Sequence, residues 1–77
     1  MCLAIPAQIL SINEDSTAEV SILGVRRVVA LDLVPQAALG DFVLVHAGYG
    51  IEVVSEQFAQ ETLDLLREMP ELLEVVN

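Results

Sequence analysis

The chain has 77 residues, 55% hydrophobic and 19% charged, which is enough apolar material for one core and too little chain for two. Such a composition excludes intrinsic disorder and leaves few residues to wall a large catalytic cleft. Twelve acids face three arginines and no lysine, a formal net charge of −9, which disfavours nucleic acid and anionic membrane surfaces as partners.

The opening Met1-Cys2-Leu3-Ala4-Ile5-Pro6-Ala7-Gln8 has no basic segment and no long apolar run, so no signal peptide is expected. Gln8-Ile9-Leu10-Ser11-Ile12 reads as a first strand. The polar cluster Asn13-Glu14-Asp15-Ser16 then turns the chain. Thr17-Ala18-Glu19-Val20-Ser21-Ile22 alternates polar and apolar with period two, the mark of a strand with one wet face. Leu23-Gly24 punctuates, and Val25 to Leu33 forms a third, β-branched run.

Pro35 through Gly40 is a connection, with one helical turn expected at Gln36-Ala37-Ala38. Phe42-Val43-Leu44-Val45-His46-Ala47 is apolar on both faces, which predicts a central and most buried strand. Gly48-Tyr49-Gly50 breaks it, and Ile51-Glu52-Val53-Val54 is the last strand. Five short strands with Gly- and Pro-marked corners predict a mainly β fold, a small curled sheet or barrel over residues 1–54.

At Ser55 the period changes. Ser55 suits an N-cap, and Glu56 places a carboxylate in the first turn. Phe58, Thr62, Leu65, Leu66 and Met69 recur at helical spacing, with Ala59 and Leu63 widening the stripe. Pro70 ends the predicted helix, residues 55–69. Residues 70–77 read as a short tail or a second helical stretch.

Three features carry chemistry. Cys2 is the sole cysteine, so an internal disulfide is excluded and a reducing cytoplasm is the expected location. Near a chain start it is either a small buried hydrophobe or an accessible thiolate ligand. One thiol does not hold a metal unaided, and no spaced Cys/His set accompanies it. His46, on the face of Phe42 and Leu44, is either a proton acceptor or ligand, or a structural histidine bonded to a backbone carbonyl. Arg27, on the face of Val29 and Leu31, needs a carboxylate or carbonyl partner; an ion pair is the plainer reading. Gly48-Tyr49-Gly50 lacks the lysine and following helix of a phosphate loop.

The run Met1-Cys2-Leu3-Ala4-Ile5-Pro6-Ala7-Gln8-Ile9 resembles the N-terminal signature of the HypC/HupF/HybG family of hydrogenase maturation chaperones at every place. Gly24-Val25-Arg26-Arg27-Val28-Val29 resembles the family's Gly-x-x-Arg-x-Val segment. Gly40-Asp41-Phe42-Val43-Leu44-Val45-His46-Ala47-Gly48 resembles its strand ending in His-x-Gly. Two departures are Tyr49-Gly50, where the family usually has Phe-Ala, and Ala7, where Gly is common.

The resemblance implies an OB-fold-like five-stranded β-barrel followed by a C-terminal helix. It implies a non-enzymatic role in assembling the Fe(CN)2CO unit of [NiFe]-hydrogenase. The implied partners are a HypD-type iron–sulfur scaffold protein and the hydrogenase large-subunit precursor. Cys2, after loss of Met1, is the implied iron ligand, shared with a partner. Pro6 stiffens the arm that carries it, and His46 contributes near the iron or the partner surface. Two other classes stay open from the residues alone. An OB-type nucleic-acid or protein-binding module would need basic grooves and stacking aromatics, and only Phe42, Tyr49 and Phe58 are aromatic. A thiol enzyme with Cys2 as nucleophile and His46 as base would need a third, orienting group.

Overall fold

The computed structural model describes residues 4–68. Five strands close into a barrel in the order β1-β2-β3-β5-β4, and one helix follows. The strands are β1 (Ile5–Ile12), β2 (Thr17–Ile22), β3 (Val25–Ala30), β4 (Phe42–His46) and β5 (Tyr49–Val54). All pairs are antiparallel except β3–β5, which is parallel. This is the five-stranded barrel expected of an OB-like fold.

β1 shows how the barrel closes. Its first half, Ile5 to Gln8, pairs with β4, and its second half, from Gln8 on, pairs with β2. That stagger is the shear a closed sheet requires. It also explains why a proline lies inside a strand. Ile9 N–H donates to the Asp41 carbonyl on the β4 side. By parity, position 6 turns its missing donor away from β4, where β2 has not yet joined, so no ladder bond is lost. β1 therefore starts three residues before Gln8, the start that alternation suggests.

Ala7, Ile9, Ala18, Val20, Val29, Leu31, Val34 and Val43 form the interior. Ile9, Val20 and Val43 are fully buried, each contributing about 2 kcal/mol of hydrophobic stabilisation. β4 is not the central or most buried strand: Phe42 and Val43 are buried, but Leu44, Val45 and His46 are half-buried. In a closed barrel every strand has two neighbours, and burial follows which face turns inward. β1, with Ile5, Pro6, Ala7 and Ile9 all buried, is covered more completely.

β3 ends at Ala30 rather than Leu33. Its pairing partner β2 begins at Thr17, opposite Ala30, so the ladder has no further rung. Leu31 N–H instead donates to the Ser16 carbonyl, and successive turns follow. Leu31 and Val34 fold inward as plugs, while Leu33 is left in water. No helical turn forms around Gln36. The Val34 carbonyl accepts from Ala37 N–H, and Asp41 takes Ala38 N–H on its carboxylate at 2.9 Å.

The helix α1 (Glu56–Glu68) starts as expected. Ser55 Oγ accepts the Phe58 N–H at 3.1 Å, and Glu56 lies in the first turn. Its buried face is narrower than the apolar stripe. Only Ala59, Leu63 and Leu66 are buried, whereas Phe58 and Leu65 are about half in water. Leu63 and Leu66 pack on Ile5, Ile22 and Leu23 at one end of the barrel. A straight helix touches a curved barrel end along one line, so side chains a third of a turn away stay exposed. Met69, Pro70 and the tail lie outside the described residues.

Candidate functional site

Of the site residues named from the sequence, His46 stands at one rim of the barrel, where β4 meets β1 and β5. β4 ends at His46, and the chain reverses through Ala47-Gly48. Both turn residues have positive φ, 54° and 85°, as a two-residue hairpin turn of this handedness requires. Tyr49, not Ile51, is therefore the first residue of β5. The break read at Gly48-Tyr49-Gly50 is a tighter turn one residue earlier.

His46 and Tyr49 are directly paired across this turn. Opposed residues of an antiparallel pair share a face, so the imidazole and the phenol project to the same side. His46 is half-buried and Tyr49 is 48% exposed. On the other flank of β4 the register runs Ile5↔Val45 and Pro6↔Leu44. One step further places Ala4 opposite His46. The start of β1 thus leaves the barrel beside the imidazole, although Ile5 and His46 lie 41 residues apart in sequence.

Among the described residues the His46 ring has no hydrogen-bond partner, so the carbonyl expected for a structural histidine is not supplied there. Pro6 is fully buried and offers no surface; its position is one of packing at the root of the N-terminal segment. Cys2 lies outside the described residues. No group of three His, Cys, Asp or Glu side chains gathers to hold a metal among the described residues. Among the described residues the rim presents one imidazole and one phenol on a shared face.

Arg27 satisfies the partner requirement through a carbonyl, not a carboxylate: its guanidinium donates to the Arg26 carbonyl at 2.9 Å. The ion pair belongs to Arg26, whose guanidinium stands 3.4 Å from Glu19. Both side chains are exposed, so the pair contributes little. Sequence reasoning missed Tyr49 as a companion of His46, because it placed Tyr49 in a loop. The two-residue spacing of a hairpin turn was the signal that could have found it.

At the opposite hairpin, Asp15 Oδ1 accepts from Thr17 Oγ1 at 2.6 Å and from Thr17 N–H at 3.2 Å. These bonds, the hydroxyl's first, hold the Asp15 carboxyl below its ordinary value. No helix of the described residues is long and apolar enough to cross a membrane.

Comparison with known proteins covers most of the chain. The HupF/HypC family pattern matches residues 1–66. Hydrogenase maturation factor HypC of Synechocystis sp. is 43% identical over 74 residues, 90% of this chain and 97% of that protein. HypC of Cupriavidus necator is 41% identical over 69 residues, 90% and 77% of the two chains. Hydrogenase maturation factor HybG of Escherichia coli K12 is 39% identical over 75 residues, 90% and 92%.

Proposed function

The chain belongs to the HupF/HypC family, and from that premise we propose that it is a hydrogenase maturation chaperone acting in the cytoplasm. In this reading it is a carrier, not an enzyme. With a HypD-type iron–sulfur scaffold it holds the Fe(CN)2CO unit and delivers it to the [NiFe]-hydrogenase large-subunit precursor. Cys2, the N-terminal residue once Met1 is removed, contributes the thiolate.

One observation carries the proposal: Cys2 of the family's signature lies three residues ahead of β1, and the residue just before that strand, Ala4, stands opposite His46. Three residues span at most about 11 Å, and in this reading the thiol acts at the rim that His46 and Tyr49 share. Low-spin iron(II) with cyanide and carbonyl ligands is a soft centre that suits thiolate. A single protein ligand leaves positions for a partner's cysteine, and one bond is easily exchanged for the thiolates of an acceptor. His46, without a hydrogen bond among the described residues, is available to donate to a cyanide nitrogen or to the partner.

The test is Cys2→Ser in the full chain, expressed with the scaffold protein under anaerobic conditions. Co-purification and the infrared bands of bound CN and CO are measured. Loss of the bands is expected. Bands and partner binding both unchanged would defeat the thiolate role. Intact mass of the wild-type chain checks the removal of Met1.

A further inference from the structure

Among the described residues, one edge of β3 is paired only at its end. Against β2 it is paired from Ala30 back to Val25, but against β5 only at Ala30↔Tyr49. The two-residue turn Leu23-Gly24 makes Ile22↔Val25 a hydrogen-bonded pair. Val25, Arg27 and Val29 therefore turn their backbone N–H and C=O groups toward β2. Arg26, Val28 and Ala30 turn theirs outward. Two observed bonds agree with this parity: Ala30 N–H donates to the Gly48 carbonyl at 2.9 Å, and the Arg26 carbonyl accepts from Arg27's guanidinium. The N–H of Arg26 and both backbone groups of Val28 find no partner among the described residues.

The side chains along this edge are exposed. Val25 and Val28 are 48% and 64% in water, and both arginines are exposed. An open edge with exposed β-branched residues accepts an extended chain as an added strand. Its charge is the reverse of the molecule's. Two of the three cations of a chain at −9 sit here. Arg26 is only loosely engaged by Glu19, and Arg27 has no carboxylate partner among the described residues. A second copy docking here by its own β3 would set arginine against arginine, which disfavours self-pairing.

We propose that the outer edge of β3, from Arg26 to Val28, is a docking site for a partner protein's extended segment that alternates carboxylates with β-branched side chains. The segment's backbone takes up the free groups of Arg26 and Val28; its carboxylates, all on one face, meet the Arg27 guanidinium, and its β-branched side chains lie on the other face beside Val28. The site is independent of Cys2 and of the iron-carrying role.

The experiment measures amide hydrogen exchange in the full-length chain, with a seven-residue peptide of alternating glutamate and valine as probe. A lysine–valine peptide is the control. The acidic peptide is expected to slow exchange at Arg26 and Val28 by about tenfold or more at saturation. The Arg27 and Val29 amides, already bonded to β2, should not respond. Charge reversal at both positions, Arg26→Glu with Arg27→Glu, should transfer the preference to the basic peptide. Val28→Pro should abolish the response and Val28→Thr should keep it; if the proline variant does not fold, the charge reversal decides. Equal response to both peptides, or none, overturns the proposal. So does protection already present in the free chain at every concentration, which assigns the edge to the chain's own residues. Protection that rises with protein concentration assigns it to a second copy and overturns it equally.

Discussion

His46 and Tyr49 stand opposite each other across the two-residue turn Ala47-Gly48, each on a different strand and both on one face. The turn that joins them is strained at its first position. Ala47 adopts a φ of 54°, a region where its Cβ crowds the backbone. Asn tolerates this conformation, and Asn-Gly is the favoured pair for such a turn. Ala47 is exposed, so no packing is lost by changing it. Ala47→Asn is expected to stabilise the protein by about 0.5–1 kcal/mol. Urea denaturation checks it, with an unchanged m-value as the sign that only stability moved.

Gly50 marks a close approach inside the barrel. A Cβ at this position would lie 3.3 Å from Leu31 Cδ2 and 3.4 Å from Val34 Cγ2. Leu31 and Val34 are themselves buried and have little room to yield. Gly50→Ala should destabilise by about 1–2 kcal/mol. Pairing it with Leu31→Val should give a non-additive result, with the double variant losing less than the sum, because the two side chains compete for one space.

The helix separates two leucines that look alike in sequence. Leu63 is 6% exposed and packs on Ile5, whereas Leu65 is 57% exposed. Leu63→Ala should cost about 2–4 kcal/mol. Leu65→Ala should stay within about 0.5 kcal/mol. Thermal unfolding of the two variants side by side distinguishes them.

Asp15 gives the acid limb a defined origin. Its carboxyl is held low by Thr17, so the charged form is favoured in the folded state. The folded value lies below the unfolded one, and the stabilisation is complete above the ordinary carboxylate range. It is lost as pH falls through that range toward the folded value. Thr17→Val removes the hydroxyl bond and should return the Asp15 titration toward its ordinary value, with a shallower loss of stability in acid. Side-chain carboxyl shifts followed by NMR against pH measure the first effect, and urea midpoints against pH the second.

Local chemistry alone determined much of this protein. Alternation located β2, the Ser55 cap located the start of α1, and the run from Met1 to Ile9 pointed to the family. These signals lie within a few residues of one another, so no knowledge of distant chain is needed. Element limits were decided elsewhere. β3 stops at Ala30 because β2 offers no rung beyond Thr17, and Pro6 is admitted to β1 because β2 joins only later. Which of Leu63 and Leu65 is buried depends on the curvature of the barrel end. Tyr49 meets His46 through the local turn, but the approach of the start of β1 to His46 comes from barrel closure, and so does the edge of β3 left bare among the described residues. Closure sets a register between strands far apart in sequence, and periodicity within any one strand carries no information about that register.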